Sequence, residues 1–482
     1  MESSKELLKT YITTKIEGDR NLIKKNIEYD GKKLKYRSVF LRLKKHIDIF
    51  LKEEYYNRFI VMPGLRGLGK STLIFQLYDY LLNQKGIENN RILYLSMDKF
   101  NQLFGENIYD AVNVFLREVH ERTPITIDKK IFIFVDEAQY DEKWSLAGKI
   151  LYDESKNIFM IFTGSSALDF EMNVDAVRRV KNEPIFPMNF KEYLLLKHRI
   201  TPPKGISNML REIIFTGNVD GSRKKELKIH ENLGSLKAPL NKEYENYLIS
   251  GGFPMTTLLS EFDIHWRTYK MIERIIEKDV SHYQSINNGT KSTIFKIITF
   301  LALQKPGELS ESNLAKKIGV SSSLIHNLLN ILEKTHLIFH VNPYGGAGKQ
   351  VRKPFKYYFL SPSIRSSVNF MLGIYSPKNR EFLGTLAENL VASYFFKMKE
   401  TIYRPYGIFY PAEKGSVDFL LSSVTEEIIP VEVGIGKKNV KQVKKAINDY
   451  DSEYGILISN KTTFIKKEDD IIYLPITTFS FI

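Results

Sequence analysis

The sequence predicts an α/β protein: a parallel-sheet domain, then a helical stretch, then a smaller α/β region. Short, continuously apolar runs alternate with stretches of helical spacing between residues 58 and 162. Strands that are apolar throughout are typical of a parallel sheet covered by helices on both faces. From about residue 190 helical spacing dominates, and strand-like runs return after residue 415. We therefore expect domains at 1–200, 201–290, 291–365 and 380–482, and we expect residues 217–242, an irregular and basic stretch, to be a surface insertion in the second of them.

Composition excludes several classes of protein. The 482 residues are 43% hydrophobic and 26% charged, which is ordinary for a globular chain. There is no cysteine, so disulfide scaffolds, thiol catalysis and thiolate zinc sites are excluded. No apolar run is long enough to span a membrane, and no secretory signal follows Met1. We expect a cytoplasmic protein without membrane contact.

The charge balance favours a polyanionic partner. Lys and Arg number 70 against 56 Asp and Glu, a net charge of +14. Nucleic acid is the first partner that such a balance indicates. The alternative is codon bias in an A/T-rich genome, which over-supplies Lys, Ile, Asn and Tyr.

A glycine-rich loop follows the first strand, Arg58 to Met62, and fits the pattern G-x-x-x-x-G-K-[ST]. Backbone N–H groups of such a loop wrap a triphosphate, and the following helix adds its N-terminal dipole. We expect Lys70 to reach the β- and γ-phosphates of ATP and Ser71 to ligate Mg²⁺. The expected nucleotide-binding residues are Gly64, Leu65, Arg66, Gly67, Leu68, Gly69, Lys70, Ser71 and Thr72.

The strand Ile131 to Val135 ends in the acidic pair Asp136-Glu137. With a phosphate loop upstream, we expect Asp136 to hold Mg²⁺ and Glu137 to act as general base on the attacking water. After the next strand, Ser165 is a candidate for sensing the γ-phosphate, the alternative being an ordinary turn. Farther along, Arg178 or Arg179 is expected to neutralise transition-state charge, in the same chain or across a homo-oligomer, unless the pair is simply solvated.

These motifs together resemble the predicted prokaryotic AAA-type ATPases that join a P-loop domain to a C-terminal domain of unknown function. The stretches that carry the resemblance are Gly64–Ser71, Ile133–Gln139, Phe162–Ser166, Ile185–Tyr193, Tyr247–Pro254 and Val417–Phe419. They keep the family order over most of the chain. The resemblance implies an AAA core, a winged helix and a C-terminal nuclease-like fold. It predicts the architecture of the chain better than its biological role.

Residues 314–338 have the pattern of a helix–turn–helix, with Gly319 supplying the turn and Ser321 or Ser322 capping the second helix. Polar residues on one face of that helix could enter a DNA major groove, with basic residues in the wing that follows. The alternative is a protein-docking module. The candidate DNA contacts here are Ser323, Asn327, Asn330, Lys334, Arg352 and Lys353.

Glu388, Asp418 and Glu432 resemble the metal-binding carboxylates of the PD-(D/E)xK nucleases. In that family a lysine two residues after the last carboxylate activates water, but Gly434 stands at that position here. We therefore expect a degenerate site without cleavage activity.

A basic helical face follows the last of these strands. Its lysines could track a phosphate backbone, the alternative being a solvated helix surface. They are Lys437, Lys438, Lys441, Lys444 and Lys445.

Three functional hypotheses remain open at this stage. The first is an ATP-driven enzyme that remodels or moves along DNA, possibly branched DNA. The second is a nucleotide-dependent switch, such as a defence or signalling ATPase, whose C-terminal half docks a protein partner. The third is an ATP-gated, metal-dependent nuclease.

Overall fold

Five parallel strands form the centre of the first of two units, Met1–Phe186 and Pro187–Ile482, into which the chain divides. The structure is a computed structural model and describes residues 2–53, 55–105, 107–165, 174–280, 287–346, 348, 353–401, 405–411, 413, 415–423, 427–435 and 440–482. Within these residues no helix is both long and apolar enough to cross a membrane.

The sheet of the first unit has the order β4-β5-β6-β3-β7, with every neighbouring pair parallel. Its strands are β3 (Phe59–Pro63), β4 (Ile92–Ser96), β5 (Ile131–Asp136), β6 (Ile158–Gly164) and β7 (Val180–Asn182), and a small antiparallel pair, β1 (Glu28–Tyr29) and β2 (Lys32–Lys33), precedes them. The helices are α1 (Glu2–Ile27), α2 (Ser38–Leu51), α3 (Lys70–Lys85), α4 (Met97–Phe104), α5 (Ile108–His120), α6 (Trp144–Glu154) and α7 (Val174–Val177). The predicted α/β class is confirmed.

The burial of its strands explains why this sequence forms a parallel sheet. Every residue of β3, β4, β5 and β6 is buried, because helices cover the sheet on both faces. The fifth strand, β7, was not predicted from the sequence: it has only three residues, is partly polar, and pairs with β3 alone. Since parallel strands end at the same edge, the residues that follow β3, β5 and β6 lie together.

The second unit begins with helices. They are α8 (Phe190–Tyr193), α9 (Ile206–Thr216), α10 (Ser222–Leu233), α11 (Leu240–Ser250), α12 (Glu261–Arg274), α13 (Asn288–Leu303), α14 (Glu311–Ile318), α15 (Ser322–Lys334), α16 (Pro362–Met371), α17 (Arg380–Thr401), α18 (Val440–Asp449) and α19 (Ile476–Phe479). The sequence had suggested an irregular basic surface insertion at 217–242, and that expectation is wrong. α10 occupies its centre, and Glu226, which is fully buried, accepts the backbone N–H of Ile465 at 2.9 and 3.0 Å.

One mixed sheet runs through the second unit in the order β14-β15-β13-β12-β11-β10-β8-β9. Its strands are β8 (Ile338–Pro343), β9 (Lys356–Phe359), β10 (Gly407–Tyr410), β11 (Phe419–Ser422), β12 (Ile428–Gly434), β13 (Gly455–Ser459), β14 (Lys466–Glu468) and β15 (Ile471–Pro475). The antiparallel hairpin of β8 and β9 follows α15 directly, and β8 also pairs in parallel with β10. The helix–turn–helix region and the C-terminal α/β region therefore share one sheet.

Candidate active site

The glycine-rich loop joins β3 to α3 and depends on glycine at three positions. Gly67 and Gly69 have φ angles of 81° and 86°, a left-handed conformation that residues with a side chain rarely adopt. At Gly64 a Cβ atom would lie 2.6 Å from the carbonyl oxygen of Ile185. The loop is therefore a tight backbone turn that ends where α3 begins, at Lys70.

The Lys70 side chain folds back over this loop. It is 5% exposed, and its Nζ donates to the carbonyl oxygens of Gly64 at 2.7 Å and Leu65 at 3.2 Å. A buried ammonium group is stable only with such partners. The positive charge is thus held inside the turn that the sequence predicted to bind phosphates.

Asp136 ends β5 and is surrounded by hydroxyl groups. Ser71 Oγ donates to Asp136 Oδ2 at 2.6 Å, Tyr94 Oη lies 3.4 Å from the same oxygen, and Thr163 Oγ1 donates to Oδ1. Burial and the neighbouring Glu137 charge raise the pKa of Asp136, whereas the bonds from Ser71 and Thr163 and the Lys70 charge oppose that rise. A hydroxyl and a carboxylate at this distance are oxygen donors of the kind that Mg²⁺ takes, so the residues fit the ion.

Glu137 follows Asp136 in a left-handed conformation, with φ 55° and ψ 47°. Gln139 Nε2 donates to Glu137 Oε2 at 2.5 Å, and the Arg66 guanidinium lies 3.6 Å from the same oxygen. The sequence placed Arg66 among the phosphate-loop residues but did not indicate its contact with Glu137.

The remaining predicted groups of this unit are placed differently. The Ser165 hydroxyl is buried and has no hydrogen-bond partner among the described residues. Arg179 Nε donates to Asp153 at 2.6 Å, whereas Arg178 is exposed. Arg179 is therefore engaged within its own unit.

Two residues that sequence reasoning missed hold the site in place. Arg37, 7% exposed, donates to the carbonyl oxygens of Leu68 and Phe186, both at 2.8 Å, and so anchors the phosphate loop. Thr163, near the end of β6, positions Asp136, although the sequence singled out Ser165, two residues later. Nothing in the local pattern signals either role, because both contacts join residues far apart in the chain.

The helix–turn–helix residues form an exposed surface. Ser321 caps α15 by accepting the N–H of Leu324, and the side chains of Ser323, Asn327 and Asn330 are exposed. Lys334 and Lys353 are partly buried. Arg352 lies outside the described residues.

The three C-terminal carboxylates each have different surroundings in the second unit. Glu432 is buried in β12, and Asp418, just before β11 rather than on it, accepts the N–H of Val433 at 2.8 Å. Glu388 accepts from the Tyr358 hydroxyl at 2.9 Å. In the described part of the chain no three His, Cys, Asp or Glu side chains are arranged to hold a metal ion.

The basic helix is α18, which buries Val443 and Ile447. Lys441, Lys444 and Lys445 are exposed, but Lys444 pairs with Asp469 at 3.3 Å and Lys445 lies 3.9 Å from Asp449. Acidic groups therefore offset part of the expected positive face. Lys437 and Lys438 lie outside the described residues.

Comparison with known protein families finds matches to two stretches of the chain. Residues 56–194 match the family described as AAA domain, and residues 241–377 match a domain of unknown function, DUF8612. The Walker-type ATPase PABY2304 of Pyrococcus abyssi has 12% identity and a TM-score of 0.39, over 71% of this chain and 97% of that one. The Aeropyrum pernix ORC1 protein in complex with DNA has 9% identity and a TM-score of 0.32, over 72% and 95%. At these TM-scores neither structure bears on function.

Relatives extend over most of the chain. The uncharacterized protein MJ1637 of Methanocaldococcus jannaschii is 33% identical over 90% of this chain and 86% of its own length. MJ1544 of the same organism is 25% identical over 82% and 79%, and an uncharacterized protein of Haemophilus influenzae is 28% identical over 62% and 66%. The chain belongs to the family of MJ1637, and residues 56–194 within it form an AAA-type P-loop domain.

Proposed function

We propose that the site after β3 and β5 binds Mg²⁺-ATP and hydrolyses its terminal phosphate, with Lys70, Ser71, Asp136 and Glu137 as the principal residues. The single observation that carries this assignment is the 2.6 Å contact between Ser71 Oγ and Asp136 Oδ2 at the mouth of the glycine-rich loop. It brings a hydroxyl and a carboxylate together where magnesium and phosphate oxygens would need them. Bound Mg²⁺-ATP supplies an electrophilic phosphorus and charge neutralisation there.

The chain's own residues supply the remaining functions. Lys70 exchanges its contacts with the loop carbonyls for phosphate oxygens, and the backbone N–H groups of the loop orient the phosphates. Glu137 accepts a proton from the attacking water. The buried Ser165 hydroxyl, at the end of β6, is suited to contact the γ-phosphate. An arginine, Arg178 or Arg179, completes the site, and Arg178 is the better candidate across a homo-oligomer because it is exposed.

The test is ATP turnover by the full chain with and without Mg²⁺. Turnover that needs Mg²⁺ supports the assignment, and the absence of turnover in a folded protein that binds nucleotide contradicts it. Single-stranded, duplex and branched DNA are added in parallel, because stimulation by DNA separates a DNA-acting enzyme from a switch that docks a protein partner.

DNA is the partner we propose for the second unit. Along the chain, α13 is followed by a β-bridge residue, Glu308, which pairs with Lys356, and then by α14, α15 and the β8–β9 hairpin. This order of elements is the one expected of a winged helix. Asn327 and Ser323 are exposed on α15, where a major groove would be read. His326 on the same helix lies 3.1 Å from Glu311, and Asn330 contacts His326 at 3.0 Å, so the polar surface is ordered by its own contacts.

A gel-shift series from low to high salt tests DNA binding, since counterion release makes phosphate contacts salt-sensitive. Asn327→Glu places a negative charge on the α15 surface and should weaken binding roughly tenfold. Asn21→Glu adds the same charge at an exposed position of α1, in the other unit, and is the matched control. Equal binding by the two variants, or no binding at low salt, would favour a protein partner instead.

A further inference from the structure

Two neighbouring side chains contact the Glu137 carboxylate. Gln139 and Arg66 converge on one oxygen, Glu137 Oε2, at 2.5 and 3.6 Å. Arg66 is also 3.4 Å from the Tyr140 hydroxyl, and its side chain is only 17% exposed. Glu137 Oε2 thus accepts a hydrogen bond from Gln139 and faces the positive charge of Arg66.

The backbone shows that this position needs support. Glu137 adopts a left-handed conformation, which costs a residue with a Cβ atom about 1–2 kcal/mol. The short turn Ala138–Tyr140 that follows brings the Gln139 side chain, 5% exposed, back towards Glu137. Such strained conformations persist where surrounding contacts hold them, and they mark sites that change state.

Arg66 has a second partner available to it. It lies inside the glycine-rich loop, between Gly64 and Gly67. Guanidinium groups bind phosphate oxygens in bidentate fashion, so phosphates in this loop compete with Glu137 for the same cation. A ligand that binds one of two arrangements more tightly shifts the equilibrium towards that arrangement.

We propose that Arg66 and Gln139 hold Glu137 in an idle position, and that nucleotide phosphates release it by taking the Arg66 guanidinium. Given the role proposed above for Glu137 as general base, hydrolysis then begins only after the phosphates are seated. Arg66 exchanges partners, and Gln139 is a positioning residue.

An affinity cycle with the non-hydrolysable analogue AMPPCP, measured by calorimetry on the full chain, tests the exchange. Arg66→Ala should weaken binding by about tenfold or more, because a charge-assisted contact is lost. Glu137→Gln should strengthen binding about fivefold, because Arg66 no longer has to leave an ion pair. In the Arg66→Ala background the same Glu137→Gln change should give no gain.

Arg42→Ala is the matched control, since it breaks an arginine–glutamate pair of the same unit, with Glu183 at 3.0 Å. It should leave AMPPCP affinity unchanged. If Glu137→Gln strengthens binding equally with and without Arg66, simple charge repulsion explains the gain and the exchange is refuted.

Steady-state turnover of Gln139→Ala tests the idle position. Loss of the Gln139 contact should raise kcat about threefold and leave KM unchanged, since one hydrogen bond is removed from the held state. A structural role alone would not raise kcat, and a fall in kcat would show that Gln139 assists the base. ATP turnover by Glu137→Gln separates the two proposals. Turnover at the parental rate would refute both the role of Glu137 as general base and the idle position. Lost turnover, together with an affinity gain that does not depend on Arg66, would refute only the exchange of partners by Arg66.

Discussion

Replacing Thr163 by valine removes one hydroxyl from the Asp136 carboxylate while keeping the shape of the side chain. Thr163 is fully buried and donates to Asp136 Oδ1, whereas Ser71 serves the other oxygen. A hydrogen bond to a charged acceptor contributes about 1.5–3 kcal/mol, so we expect the unfolding free energy of the first unit to fall by that amount at alkaline pH. The loss should shrink as the pH falls, because the variant raises the pKa of Asp136 further and the protonated carboxyl needs the donor less.

Tryptophan fluorescence can follow this unit separately. The chain has two tryptophans: Trp144, 1% exposed and 6.4 Å from the Phe162 ring, and Trp266, 44% exposed in the second unit. Urea unfolding in a Trp266→Phe background therefore reports on Trp144. Thr163→Ser keeps the hydroxyl and should retain most of the parental stability. Equal stability of Thr163→Val and Thr163→Ser at alkaline pH would refute the reasoning.

Three further predictions concern the two units. Lys70→Ala should weaken AMPPCP binding by about tenfold or more, because the buried ammonium group is lost from the phosphate loop; unchanged calorimetric affinity would contradict this. Burial raises the pKa of Glu226 to about 7. The unfolding free energy should therefore fall by on the order of 3 kcal/mol as the pH rises from 4.5 through 7. Glu226→Gln should remove this pH dependence, which urea unfolding followed by Trp266 fluorescence measures. The parent should not cleave DNA in Mg²⁺ or Mn²⁺, and Asp418→Ala should leave ATP turnover intact; cleavage that Asp418→Ala abolishes would restore the nuclease hypothesis.

The parallel sheet and the phosphate loop could be predicted because their signals are local. A run such as Ile131 to Val135 is apolar at every position, and a fully buried strand requires that. The loop pattern sets Lys70 and Ser71 in the first turn of a helix, where backbone geometry places them. Asp136 and Glu137 follow from the same logic, because the end of a parallel strand lies at the edge where ligands bind.

The parts that escaped prediction depend on contacts between distant residues. Arg37 reaches Leu68 and Phe186, and no pattern around it signals those partners. The basic stretch before Lys242 was interpreted as an irregular insertion because charges dominate it, yet Glu226 fastens α10 to the N–H of Ile465, 239 positions away. Likewise, the pairing of β8 with β10 joins two regions that the sequence suggested were separate domains.

The most direct test of the central claim is ATP hydrolysis by Glu137→Gln, compared with the parent under saturating Mg²⁺-ATP. The amide cannot accept the proton of the attacking water, so we expect AMPPCP affinity to be at least as high as in the parent and turnover to fall by roughly 10²–10⁴-fold. Loss of binding together with turnover would indicate a folding defect, which the Trp144 unfolding transition detects. Hydrolysis at the parental rate, by a folded variant that binds nucleotide, would contradict the assignment of Glu137 and the account of the site built on it.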